Sequence, residues 1–197
     1  SVTGVQTCAL PISFRDYDVH FPSIGPSDIV LEAGGRLNCG ESGLGEDLIL
    51  VHGSPGDGRS WTRVVQALPS HLRALTPDLP GYGVSDALAC EPARRTAAMA
   101  ARVGELIERR AGPVWLCGHS YGGNVALHAA MAHREKVRGV VLIEPVLLRA
   151  LELAGEHEVS VQARSYFTNY LVRVAFSEAK AVGLMFDYWF GAGAYEK

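Results

Sequence analysis

Val114-Trp115-Leu116-Cys117-Gly118-His119-Ser120-Tyr121-Gly122-Gly123-Asn124-Val125-Ala126-Leu127-His128-Ala129-Ala130 is the stretch that decides the fold. An apolar run enters a Gly-His-Ser-Tyr-Gly turn, and a run of helix formers leaves it. Strand, Gly-x-Ser-x-Gly turn and helix in that order describe a nucleophile elbow. So sharp a turn forces Ser120 into a strained backbone conformation with its hydroxyl projecting. Gly118 and Gly122 remove side chains that would collide where strand and helix nearly touch. The new helix aims its free N–H groups and positive dipole end at the oxygen that gains charge when Ser120 attacks.

Two more stretches agree with this reading. Leu48-Ile49-Leu50-Val51 is continuously apolar, as expected of a strand buried on both faces of a parallel sheet. It runs into His52-Gly53-Ser54-Pro55-Gly56, with Trp61 close behind. Leu72 to Thr76 read as another strand, ending in Asp78-Leu79-Pro80-Gly81-Tyr82-Gly83-Val84-Ser85-Asp86. With these motifs in this order, the chain from about Asp28 onward resembles the α/β-hydrolase superfamily, in its branch with a helical cap.

That resemblance carries expectations about the site. It implies an oxyanion hole from the N–H after His-Gly and the N–H after the nucleophile, here Ser54 and Tyr121. Pro55 has no N–H and cannot be the donor. His52, Gly53, Gly118, His119 and Gly122 support the site loops, the histidines by holding them through hydrogen bonds. Asp78 and Asp86 brace the Gly-Tyr-Gly turn.

Composition bounds the function classes. The chain has 197 residues, 48% hydrophobic and 20% charged, enough for one sizeable core. A net charge of −3 without a Lys/Arg cluster gives no reason to expect nucleic acid or an anionic membrane as partner. No apolar run reaches the roughly 18 residues of a membrane helix. Dispersed cysteines suggest neither metal site nor disulfide framework, no cofactor is implied, and the pattern suits a reducing cytoplasm. Residues 2–12, VTGVQTCALPI, read as the translation of a common short-read sequencing adapter. Residues 1–13 are therefore expected to be a non-native tail that contributes nothing to the fold and takes Cys8 out of the cysteine count.

The remaining chain alternates strands and helices. Asp28–Leu31 and Arg36–Gly40 read as a hairpin around Gly34-Gly35. Ser60–Leu68 reads as a helix, and Pro92 opens a longer one to about Arg110, with Met99, Val103, Leu106 and Ile107 on one buried face. Asn124–His133 follows the elbow, and Val137–Ile143 is the next strand. The expected fold is an α/β doubly wound, mostly parallel sheet, an incomplete α/β-hydrolase core over residues 14–145. From Val146 the texture becomes helical and aromatic: Leu147–Ala154, Val159–Ala175 and Glu178–Tyr188 read as an incomplete cap over 146–197. Its stripes, Tyr166, Tyr170 and Val174 or Phe186, Trp189 and Phe190, read first as cap core.

A serine hydrolase also needs a histidine base and an orienting carboxylate, in the order Ser, Asp/Glu, His. His128 and His133 fall along the elbow helix and His157 in the early cap, so none is expected to be the base. Base and acid are expected beyond Lys197. Glu144, at the carboxyl end of its strand, is a candidate acid; alternatively it pins the cap entrance with Pro145. Ser rather than Asp at 120 argues against relatives that cleave epoxides or carbon–halogen bonds, which need a carboxylate nucleophile. The expected parent enzyme is an esterase or lactonase acting on a small apolar acyl substrate through an acyl-enzyme on Ser120. The 197 residues alone are expected to be inactive. Carbon–carbon bond hydrolase and proline-iminopeptidase-like activities are alternatives, as is a non-catalytic ligand-binding protein of the same fold. Oligomeric state is left open.

Overall fold

A computed structural model describes residues 27–30 and 35–176, and singly Gly183, Asp187, Gly191, Gly193 and Ala194. The 1–13 tail, the Gly34 half of the hairpin turn and most of the third cap helix lie outside the described residues. So do the side chains of the stripe residues Tyr170, Val174, Phe186, Trp189 and Phe190.

Strands β1 (Ser27–Val30), β2 (Arg36–Gly43), β3 (Glu46–Val51), β4 (Leu72–Pro77), β5 (Val114–His119) and β6 (Val137–Ile143) form one sheet in the order β1-β2-β4-β3-β5-β6. The β1–β2 and β2–β4 pairs are antiparallel, whereas β3 runs parallel to β4 and β5, and β5 parallel to β6. The expected hairpin is present with Ile29 opposite Leu37, and β2 continues to Gly43 to pair along β4. The helices are α1 (Thr62–Ala67), α2 (Arg95–Glu108), α3 (Tyr121–Ala132), α4 (Leu148–Leu153) and α5 (His157–Phe176).

Alternation along the strands sorts the core into two layers. Ile49, Val51, Leu75, Val114 and Leu116 face α2 and α3, which close on them with Met99, Val103, Leu106, Ile107, Val125, Ala126 and Ala129. Small residues on α3 let it lie close to the sheet. Leu50, Ala74 and Cys117 face the other way, under Trp61 with Leu48, Val65 and Leu68 packed around them. Along β6 that second face is open: Val141 is 54% exposed and Ile143 41%, beside an exposed Trp115 on β5.

Two helix starts differ from expectation for local reasons. The Asp57 carboxylate accepts from Arg59 N–H at 2.9 Å, and this cap begins a 3-10 turn, Gly58–Trp61, ahead of α1. Pro92–Arg94 likewise forms a 3-10 turn before α2. In the C-terminal segment α4 and α5 pack on each other. Tyr166 meets Phe167 edge-on, centroids 5.5 Å apart.

Candidate functional site

Ser120 stands between β5 and α3 at φ 52°, ψ −122°. Left-handed φ is costly for a residue with a Cβ, and the neighbours hold it there. Its N–H donates to Ile143 O at 2.9 Å, and its carbonyl accepts from Gly123 N–H at 3.0 Å and Val146 N–H at 3.1 Å. A serine at a helix N-cap normally turns its hydroxyl back to accept an N–H of the first turn. Here the twisted backbone prevents that, and Ser120 makes no side-chain cap bond. Its hydroxyl, on a half-buried residue, is left for other work. As first residue of α3, Tyr121 has an N–H outside the helix ladder.

The loop after β3 is pressed against this elbow. A Cβ on Gly53 would lie 3.1 Å from Ser120 Cβ and 3.0 Å from His119 Nδ1. One on Gly122 would collide with the carbonyl oxygens of His52 and Val51. Glycine at both positions lets loop and helix touch. Gly118 packs as closely on Gly122 and Gly123. His52 is buried; its Nδ1 bonds Gly53 O at 2.9 Å and its Nε2 accepts Leu79 N–H at 2.9 Å. That pair of partners fixes a neutral ring with the proton on Nδ1. Burial pushes its pKa below the usual histidine value. His52 thus ties the loop after β3 to the loop after β4.

The loop after β4 is stitched down in turn. Buried Asp78 accepts Gly58 N–H at 2.8 Å, Asn38 Nδ2–H at 2.9 Å and Val84 N–H at 3.1 Å. Asp86 accepts Arg36 N–H at 2.7 Å, and Ser85 Oγ bonds Asp78 O and Asn38 N–H. The two aspartates therefore brace the turn that carries Tyr82. From it the Tyr82 hydroxyl donates to Ser54 Oγ at 3.0 Å, and its ring meets His52 edge-on with centroids 5.3 Å apart. The Tyr121 hydroxyl lies 3.2 Å from Thr96 Oγ1, and burial raises its pKa. Sequence reasoning missed Tyr82 and Thr96 as neighbours of the site. Tyr82 sat inside a quoted motif, but its partner is 28 residues away.

The remaining candidates fall as follows. Glu144 is exposed and takes φ 44°, directly after Ile143, whose carbonyl holds Ser120 N–H. His133 ends α3, about 18 Å from its start at 1.5 Å per residue. There its Nδ1 pairs with Glu108 at 2.7 Å, which together with Lys136 holds that carboxylate below its usual pKa. His128 is exposed on α3, and exposed His157 opens α5. Among the described residues no hydrogen bond reaches Ser120 Oγ. Among them too, no His/Cys/Asp/Glu group could hold a metal, and no helix is long and apolar enough to cross a membrane. A 440 Å³ open depression lined by Glu46, His71, Arg73, Pro113 and Arg138 sits at the opposite ends of the strands from the elbow.

Comparison with known proteins agrees with this fold. The family described as "alpha/beta hydrolase fold" matches residues 48–182. A 2-hydroxymuconate semialdehyde hydrolase from Pseudomonas sp. (strain CF600) is 35% identical over 62% of this chain and 44% of its own length. A pimeloyl-[acyl-carrier protein] methyl ester esterase from Vibrio cholerae is 38% identical over 52% of this chain and 38% of its own. Among solved structures, epoxide hydrolase CorEH superimposes with a TM-score of 0.58 at 28% identity, covering 62% of this chain and 43% of that one. The chain therefore spans less than half the length of these relatives, and it belongs to the alpha/beta hydrolase fold family.

Proposed function

We propose that this member of the alpha/beta hydrolase fold family contributes the nucleophile and oxyanion hole of a serine hydrolase that cleaves a carboxylic ester or related acyl bond. One observation carries the reading: Ser120 is held at left-handed φ, its hydroxyl released from the capping bond that a serine there would otherwise make. Ser120 Oγ attacks the acyl carbonyl, its proton passes to a histidine base, and the leaving alcohol takes that proton. Water then hydrolyses the acyl-enzyme by the same route. The N–H groups of Ser54 and Tyr121 receive the oxyanion, each worth about 3 kcal/mol in comparable sites. The base is none of His128, His133 and His157. Glu144 is the candidate acid, lying at the carboxyl end of β6, where functional groups of open α/β sheets gather. The described residues up to Pro145 belong to the core segment, and those from Val146 on to a cap segment over an apolar acyl pocket.

Support for ester over epoxide chemistry comes from the residue itself. A seryl oxygen forms an ester that water reopens at its carbonyl, the natural path for acyl transfer. The relatives' names include an esterase and a 2-hydroxymuconate semialdehyde hydrolase, and the latter keeps carbon–carbon bond hydrolysis as second reading. The test is a substrate panel on the whole reading frame that carries these residues: short-chain nitrophenyl esters, lactones, a vinylogous diketone and an epoxide. Ester or lactone turnover that falls about 10³-fold or more in Ser120→Ala is expected. Epoxide opening that survives the substitution would overturn the reading.

A further inference from the structure

The geometry points to the Ser54 hydroxyl as a third oxyanion donor, aimed by Tyr82, which thereby acts as a positioning residue for the proposed acyl transfer. This rests on the serine-hydrolase reading above. A serine hydroxyl has one proton to give and two lone pairs to accept with. Tyr82 O–H already donates into Ser54 Oγ at 3.0 Å, so Ser54's own proton is directed away from Tyr82. Ser54 follows Gly53, where an added Cβ would lie 3.1 Å from Ser120 Cβ. The freed O–H therefore stands on the same loop as the Ser54 N–H assigned to the oxyanion.

What separates this contact from an incidental pair of surface hydroxyls is the rigidity of Tyr82. Its ring meets buried His52 edge-on and packs against the main core cluster. The turn beneath it is pinned by Tyr82 N–H to Leu79 O at 2.9 Å, Ser85 N–H to Tyr82 O at 3.1 Å and Val84 N–H to the Asp78 carboxylate. Arg36 holds Val84 O at 2.9 Å from β2. A phenol fixed this firmly selects one orientation of the serine it touches, and a preoriented donor spends nothing on reorganisation when charge develops. Tyr82 also makes the oxygen of Ser54 a better donor, since hydrogen bonds in a chain polarise one another.

The experiment measures kcat and KM for a short-chain nitrophenyl ester in the whole reading frame. The variants are Tyr82→Phe, Ser54→Ala, Ser54→Thr and the Tyr82→Phe/Ser54→Ala pair, with melting temperatures alongside. Expected is a fall in kcat of about tenfold in Tyr82→Phe and Ser54→Ala, a modest share of the loss seen for a full oxyanion donor. KM and melting temperature stay near wild type, the double variant is no slower than Ser54→Ala, and Ser54→Thr restores the rate. Wild-type turnover left unchanged by Tyr82→Phe overturns this inference alone, as does a loss that appears only in KM. Additive losses in the double variant also overturn it. A wild-type protein that turns over no ester overturns the serine-hydrolase reading and this inference together.

Discussion

Ser120 pays for its position in backbone strain, and the residues around it show how the strain is contained. Its N–H and carbonyl are both engaged, by Ile143, Gly123 and Val146, so the turn cannot relax without breaking three bonds. Gly122 is the tightest point: any Cβ there meets the His52 and Val51 carbonyl oxygens, and neither can retreat from the end of β3. Gly122→Ala is expected to destabilise the fold by about 2–3 kcal/mol, an overpacking cost read by urea denaturation. Asp78→Ala strips acceptors from Gly58, Asn38 and Val84 at a buried site and is expected to cost about 2–4 kcal/mol in the same assay.

His52 sets a pH dependence at the same scale. Its folded pKa lies below the ordinary 6.5, so below that pH the unfolded chain takes up a proton that the folded ring resists. Stability is therefore full above about pH 6.5 and falls as the pH drops through the interval down to the folded pKa. Protonation would also put an Nε2–H against Leu79 N–H, breaking the tie between the two loops. In melting scans between pH 5 and 8, His52→Gln should be less stable at pH 8 and show a shallower decline toward pH 5. An equal slope in both proteins would remove His52 as the titrating group.

At the scale of elements, the sequence was most legible where chemistry constrains the backbone. The elbow needed glycine beside serine, β3 and β5 needed unbroken apolar runs, and α2 needed a buried stripe, so each could be placed from its own residues. Met99, Val103, Leu106 and Ile107 are all buried as their spacing requires. Leu106→Ala is expected to cost about 2–5 kcal/mol in urea denaturation, because α3 closes that site from above. Less legible were the 3-10 turns ahead of α1 and α2. They depend on a cap from Asp57 and on a short loop after Glu91, which no periodicity records. The extension of β2 to Gly43 was hidden for another reason: its partner β4 lies some 30 residues on, and past Cys39 the run Gly40 to Ser42 carries no apolar alternation. The Tyr82–Ser54 contact depends on how two loops fold over each other, which neither loop's sequence encodes alone.

For the whole molecule, the sheet is covered unevenly. Helices α2 and α3 shield one face, while the β6 end of the other shows Val141, Ile143 and Trp115 to solvent. Strand β6 is also the sheet's edge, paired only to β5 among the described residues. An apolar edge of that kind is a template for association. The 197-residue chain is expected to self-associate in light scattering behind a sizing column, and Val141→Lys with Ile143→Lys to shift it toward monomer. It is also expected to hydrolyse nitrophenyl esters no faster than its Ser120→Ala variant. A soluble monomer with Ser120-dependent turnover would instead place the base among His128, His133 and His157.

The claim on which the rest depends is that Ser120 is the nucleophile. The direct measurement is covalent labelling of the whole reading frame with a fluorophosphonate, followed by peptide mapping in the mass spectrometer. Adduct on the peptide bearing Ser120, and none in a Ser120→Ala variant of unchanged melting temperature, is the predicted result. Adduct on another residue, or labelling that persists in the folded Ser120→Ala variant, would contradict it.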